Sequence, residues 1–348
     1  MRKIVILLSV ISTFIFSGCY FHNTPIFPSA AGFHFSHSAP FGADEISGMA
    51  NNGSTVVAVS HSMKKIACSA DSGVTWAIVG DDDIEDVFAD KIPFNAVAWG
   101  EGYFLAVGDE GRAAFSEDGV NWQAGVIGPM SPKNINCVAI GRIGGRKVFA
   151  AGGPDGRLAH AVDSPAGPWY MANQPPLGDA DGYGEDVHGL AFGTIKGAGI
   201  FVAVCDHGKI VIKQDIGDKW YGVRNGPQNQ AFRTIAFGND RFIAAGDNGL
   251  IKYSLDPSTY AWKSINDDTL GQRTIDGIAF DPLINHFILF TADTVVGYSE
   301  FGDSWNAANF QARFTAGTPG DPEKISAVSC TALRIVIGGS KGTILYSN

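Results

Sequence analysis

One phrase recurs seven times along this chain, and seven copies of a strand-rich unit have few ways to bury their apolar residues. The phrase runs apolar, polar, small, apolar, Ala, apolar, Gly. It stands at Phe94-Asn95-Ala96-Val97-Ala98-Trp99-Gly100, at Ile135-Asn136-Cys137-Val138-Ala139-Ile140-Gly141 and at Val187-His188-Gly189-Leu190-Ala191-Phe192-Gly193. A shortened copy occupies Ile46-Ser47-Gly48-Met49-Ala50, and later copies begin at Phe232, Ile275 and Ile325. Successive starts lie 41 to 52 residues apart, the period at which strand-built repeats close into a propeller, with the variation that loop insertions produce. A second apolar run follows each opening strand and ends in a turn such as Gly108-Asp109-Glu110-Gly111 or Gly246-Asp247-Asn248-Gly249. Asp or Asn before Gly marks a tight hairpin, because Gly adopts positive φ without a Cβ clash. The expected fold class is therefore all-β: a seven-bladed β-propeller of four-stranded antiparallel blades spanning residues 32–348.

A third strand in each unit enters a turn and leaves it at a Trp. Ser69-Ala70-Asp71-Ser72-Gly73-Val74-Thr75-Trp76 satisfies the pattern S-x-D-x-G-x-T-W throughout. Reduced forms follow at Ser116-Glu117-Asp118-Gly119-Val120-Asn121-Trp122, from Asp163 to Trp169, at Asp215-Ile216-Gly217-Asp218-Lys219-Trp220, at Ser254-Leu255-Asp256 with Trp262, and at Ser299-Glu300-Phe301-Gly302-Asp303-Ser304-Trp305. Ser and Asp side chains are expected to bind the turn's backbone N–H groups, Gly to take the left-handed position, and Trp to bury its ring between neighbouring sheets. Such a turn is a staple and does no chemistry. The last copy stops at Tyr346-Ser347-Asn348, after three strands, while Gly32-Phe33-His34-Phe35-Ser36-His37-Ser38 alternates apolar and polar residues. The expectation is that this early segment supplies the missing strand and closes the ring.

These turns resemble the Asp boxes of the BNR-repeat proteins, a family that includes sialidases, other glycoside hydrolases, sortilin-type receptors and photosystem II stability and assembly factors. The resemblance covers residues 46–348 and implies fold more than activity, since one propeller hosts many functions. A lipobox combined with seven short blades looks most like the assembly-factor branch. A sialidase would be expected to carry an F/Y-R-I-P motif and an arginine triad. Here the nearest match is Lys91-Ile92-Pro93, and Lys cannot reproduce a bidentate guanidinium grip. Arg224, Arg273 and Arg313 are expected in three successive inter-blade loops, where a carboxylate-binding trio could form, which keeps a glycan-binding or glycoside-hydrolysing propeller as the alternative.

The first residues, Met1-Arg2-Lys3 and an apolar run from Ile4 to Phe16, fit a signal peptide over 1–18. Phe16-Ser17-Gly18-Cys19 resembles a bacterial lipobox, so Cys19 is the expected site of lipidation and 19–31 the expected tether. Tyr20 in place of Asp favours the outer membrane. Loss of Arg2 and Lys3 takes the net charge from −10 to −12, a poor match to nucleic acid, whose phosphates require Lys and Arg. Cys68, Cys137, Cys205 and Cys330 show neither C-x-x-C nor metal spacing and read as buried thiols.

The second position of every opening strand is polar: Ser47, Asn95, Asn136, His188, Arg233, Asp276 and Ser326. The repeat places them at one height, as a ring at the mouth of the central channel on the face of the inter-blade loops, suited either to a small polar ligand or peptide end or to holding waters. Two inter-blade loops are acidic, Asp81 to Asp86 and Gly178 to Asp186. Asp179-Ala180-Asp181-Gly182 contains a fragment of calcium-loop spacing, so Ca²⁺ is the one cofactor to consider beside a solvated acidic face. The expected function is non-catalytic protein binding or assembly by a monomer anchored at the envelope. A purely structural envelope lipoprotein is the second alternative.

Overall fold

A computed structural model describes residues 33–35, 40–79, 93–172, 185–282, 284–291, 293–309 and 323–347. These form seven four-stranded antiparallel sheets, six of them from consecutive strands. The first strand of each sheet contacts the first strand of the next, and the circle closes from Ile325–Cys330 to Gly48–Asn51. First strands therefore surround the axis and fourth strands form the rim. In the seventh sheet the order from the rim is Phe33–Phe35, Ile344–Ser347, Ile335–Gly339, Ile325–Cys330, with Phe33 opposite Ser347 and Phe35 opposite Leu345. The N-terminal segment thus completes the last blade, as its alternation predicts. The signal segment 1–18, Cys19 and the tether 19–31 lie outside the described residues.

Sheets stacked around a circle must bury both faces, and apolar clusters form at the seven junctions. Six of these bury a rim-turn Trp, Trp76, Trp122, Trp169, Trp220, Trp262 or Trp305, and Trp99 packs against the one that holds Trp122. The seventh, between blades 6 and 7, has no Trp; the fully buried Phe33 fills it with Ile288, Ile325 and Ile337. A rim strand borrowed from the other end of the chain thus brings its own aromatic plug. The Gly ending the opening phrase also has a packing role. A Cβ built on Gly141, Gly193 or Gly238 would lie 2.1 to 2.3 Å from the ring of Phe192, Phe237 or Phe280 on the following blade. Each of these rings lies on the previous blade's glycine, which no larger residue could replace without moving an inner strand.

The turns that enter the rim strands vary in how they are held. In blade 2, Asp118 Oδ1 accepts hydrogen bonds from the N–H groups of Val120 and Asn121, both at 2.8 Å, and Ser116 Oγ accepts from Gly119 at 2.9 Å. The Trp122 indole donates to Gly119 O at 2.9 Å, as Trp76 does to Gly73 O at 3.0 Å. In blade 4, Lys213 stands where the complete pattern has Ser, and its buried ammonium donates to Gly217 O beneath the Trp220 ring. Desolvation brings Lys213 down to about 8, against the pull of Asp215 and Asp218. In blade 6, where Phe301 replaces the Asp, Gly302 N–H still donates to Ser299 Oγ at 2.8 Å and the Trp305 N–H donates to Asp267 at 2.9 Å. The indole N–H groups of Trp220, Trp262 and Trp305 have no acceptor among the described residues. An unsatisfied buried donor of this kind costs about 1 to 3 kcal/mol.

Two outcomes follow for stability. Phe33→Ala empties the junction between blades 6 and 7 and should cost about 3 to 5 kcal/mol, read as a lower urea midpoint, whereas His34→Ala, on the exposed side of the same strand, should leave it unchanged. Partial burial would raise Asp118, but hydrogen bonds from Asn121, Val120 and Ser116 outweigh that and hold it at about 2. A folded-state value below the unfolded one gives stability that is present at neutral pH and lost as pH falls through it. Asp118→Asn should therefore lower the Tm at neutral pH and flatten its acid dependence as pH falls toward about 2.

Candidate functional site

The polar second position of each opening strand is placed by a defect in the ladder. In blades 2, 4, 5, 6 and 7 the pairing skips one residue between Phe94 and Ala96, Val187 and Gly189, Phe232 and Thr234, Ile275 and Gly277, and Ile325 and Ala327. The skipped residues are Asn95, His188, Arg233, Asp276 and Ser326. A bulge leaves its extra residue unpaired and re-aims the side chain, which explains a polar group inside an apolar strand. In blades 1 and 3 the strand begins one residue after Ser47 and Asn136, and these two make a lead-in with backbone bonds to Val59 O and Gly152 O.

The ring is not one of equivalent groups. Four members tie one blade to the next through the carbonyl that opens the following strand: Ser47 Oγ to Phe94 O at 2.7 Å, Asn95 Nδ2 to Ile135 O at 3.1 Å, Asn136 Nδ2 to Val187 O at 3.3 Å, and Ser326 Oγ to Ile46 O at 2.8 Å. The last of these spans the closure between blades 7 and 1. The charged members, His188, Arg233 and Asp276, make no such tie. His188 Nε2 lies 2.7 Å from Asp206 Oδ1, and Arg233 Nε donates to Asp247 Oδ1 at 2.5 Å. Asp276 has no hydrogen bond among the described residues, and its side chain is exposed to the channel.

The acids that meet the ring come from the turns between second and third strands: Asp109 accepts from Asn95 Nδ2 at 2.9 Å, while Asp206 and Asp247 meet His188 and Arg233. Asp109, Asp206 and Asp247 open turns whose next residues, Glu110, His207 and Asn248, adopt left-handed backbone with φ of 58°, 53° and 53°. Besides Arg233, Asp247 accepts the N–H of Ala231 at 3.0 Å, and these bonds hold its carboxyl below the usual range despite partial desolvation. In blade 6 Asp293 accepts from Arg273 Nε at 2.9 Å. Asp276 faces the field of Arg233, Lys324, Asp247 and Asp293; desolvation within the ring raises its carboxyl above the ordinary value, and the two cations counter only part of that rise.

Behind the arc lie two acids that composition suggested were solvated. Glu185 is buried; Lys209, also buried, bridges it at 2.7 Å, and His207 Nδ1 bonds its other oxygen. Glu323, equally placed two residues before its opening strand, accepts from the N–H groups of Lys341 and Thr343 at 3.0 Å and from Thr343 Oγ1 at 2.7 Å. The acidic loop therefore ends in an internal ion pair, and only its remaining part is a candidate for an acidic surface. Sequence reasoning missed this use; its one signal is a Glu two residues before Val187 and before Ile325.

Of the other candidates, Asp81 to Asp86, Asp179, Asp181 and Arg313 lie outside the described residues. Arg224 ends a rim strand, opposite Lys209, and Arg273 is held by Asp293 and by Leu270 O at 3.0 Å. These two arginines are thus spent at the rim and on a partner, and are not aimed together at the channel. Among the described residues no three metal-capable side chains cluster. Ser69, Asp71, Gly73, Trp76, Asp118, Trp122, Asp215 and Trp220 all belong to turns on the opposite face.

No protein-family model matches the chain, nor does any curated protein. Solved structures do. YCF48 from Cyanidioschyzon merolae superposes with a TM-score of 0.64 at 14% identity over 91% of this chain and 99% of that one. YCF48 bound to D1 peptide gives 0.63 at 15% identity over 91% and 94%. The WD40 β-propeller domain of Doa1 gives 0.64 at 15% identity over 91% and 97%. At such identities the likeness is one of fold, and it agrees with seven four-stranded blades.

The Asp276 carboxylate costs folding energy at neutral pH, because its folded-state value is raised; that cost disappears as acid protonates it. Asp276→Asn should raise the Tm at neutral pH and leave it unchanged at acid pH, and Arg233→Gln should move the Asp276 titration, followed by NMR, further upward.

Proposed function

We propose that this protein is a non-catalytic, Asp-box-type docking propeller of the bacterial cell envelope, exported and held at the outer membrane by a lipidated Cys19, that binds a segment of a partner protein at the channel mouth. The observation that carries this reading is the division of labour in the polar ring. Four members are consumed in joining blades, while His188, Arg233 and Asp276 form a contiguous arc over blades 4 to 6. Within it Asp276 has no hydrogen-bond partner among the described residues and is partly desolvated. A Lys, Arg or hydroxyl group of a bound segment would supply the missing donor and return the carboxyl toward its ordinary range. The acidic stretches 81–86 and 178–184, which precede the opening strands of blades 2 and 4 in sequence, favour a basic segment through long-range attraction. A propeller of this fold has been solved with a peptide bound, that of YCF48 with D1 peptide, which supports the architecture as a peptide-binding platform.

The test is capture by crosslinking from membranes with the full-length lipidated chain, followed by titration of the recovered partner against variants. Asp276→Asn and Arg233→Ala should each weaken binding about ten-fold, the effect of losing a contact worth about 1 to 2 kcal/mol at an interface centre, while His34→Ala should not. A partner retained equally by all three would refute docking at the channel mouth. Turnover of aryl glycosides that disappears in the first two variants would establish the glycan-processing alternative in its place.

A further inference from the structure

The direction of the closing strand determines where the tether leaves the ring. In every complete blade the fourth strand starts at the S-x-D-x-G turn and runs toward the inter-blade loops. Phe33–Phe35 takes that role in blade 7, antiparallel to Ile344–Ser347, with Phe33 beside Ser347 at the end of the third strand. The N-terminal end of the closing strand, Phe33, therefore lies at the face of the S-x-D-x-G turns, and the polar channel mouth lies on the opposite face.

That same face displays apolar side chains on its turns. Val120 is 54% exposed, Ile216 39%, Leu255 51%, Tyr260 40% and Phe301 40%, on turns of blades 2, 4, 5 and 6, and Leu333, on the first turn of blade 7, is 64% exposed. On the channel-mouth face, among the described residues, the turns between second and third strands carry Met63, 36% exposed, and Val126, 51% exposed, ends a rim strand toward that face. A single exposed apolar residue is ordinary, but six on the turns of one face, spread over five blades, are not. Charges between these tips are partly neutralised in pairs, Glu101 with Arg142, Asp163 with Arg146 and Asp256 with Lys196, while the Arg241 guanidinium lies against the Phe301 and Tyr253 rings.

We propose that the face of the S-x-D-x-G turns is the membrane-facing surface of the protein, its apolar tips resting in the interfacial zone of a neutral lipid surface and the channel mouth turned away from it. The proposal rests on the anchoring at Cys19 put forward above. A tether of residues 19 to 31 can extend about 43 Å at about 3.3 Å per residue, so an anchor alone would let the ring tumble. The apolar tips supply the orienting contact, since binding at an interface grows with the apolar area buried there. The arrangement leaves the arc of His188, Arg233 and Asp276 open to a partner.

The experiment uses the full lipidated chain in phosphatidylcholine vesicles, with an environment-sensitive probe at Leu255→Cys or Val120→Cys on one face and at Ser62→Cys on the other. Lipids carrying a headgroup-level nitroxide should quench the first two probes several-fold more than the third, and aqueous iodide should show the reverse order. Leu255→Glu combined with Phe301→Glu should abolish that difference while the protein still floats with the vesicles. Equal quenching at all three positions in a floating protein would overturn the orientation and leave the anchor standing. Failure of the chain to float, as is expected for Cys19→Ala, would overturn the anchoring and the orientation with it.

Discussion

The interaction on which this structure depends is the packing of each sheet against the next around a closed circle. A blade is apolar on both faces, so a missing rim strand or an empty junction exposes two blades at once. Closure is accomplished by three residues, Phe33–Phe35, paired with the last strand of the chain. Phe33 occupies the junction that elsewhere belongs to a Trp, which makes a short N-terminal segment equivalent in weight to a whole turn motif. The serine bond from Ser326 to Ile46 O closes the inner circumference on the other side of the same blade, between blades 7 and 1.

One sequence position serves two purposes in this ring. At the second residue of the opening strand a bulge or a strand start frees the side chain from the ladder and directs it to the channel. Where the residue is Ser or Asn, its short polar group reaches the neighbouring strand's first carbonyl and becomes a joint. Where it is His, Arg or Asp, charge and length take it to an acidic turn or leave it open. The chemical identity at a repeated site therefore decides whether a blade is tied to the next through this position, as blades 1, 2, 3 and 7 are, or is free of that tie, as blades 4 to 6 are.

The rim turns show the complementary tolerance. The complete form in blade 1 and the shortened one in blade 2 satisfy the Trp indole and the Asp carboxylate together. The reduced ones in blades 4 to 6 leave an indole N–H unmet and recruit substitutes, Lys213 in one and Asp267 in another. A junction that buries a whole Trp ring can accept the loss of one hydrogen bond, because the area buried outweighs a single unsatisfied donor. This is why the repeat stays recognisable while its defining residues drift.

Blade number, strand order, the roles of Asp71, Gly73, Trp76, Asp118 and Trp122, and the closing strand were all determined by the sequence itself, because they are repeated or local: period, alternation and turn chemistry act within a few residues or recur seven times. The fate of the polar ring was decided only in the tertiary structure. Nothing in Asn136 or His188 by itself says that one will meet the next blade's carbonyl and the other an acid from its own turn, since both partners arrive from elsewhere in the fold. The same holds for Glu185 and Glu323, which composition counts as surface charge and which packing encloses against Lys209 and against backbone N–H groups, and for the substitution of Phe33 for a seventh Trp. Local periodicity dictates which strands form and how many; which side chains meet across the junctions depends on bringing distant blades into register.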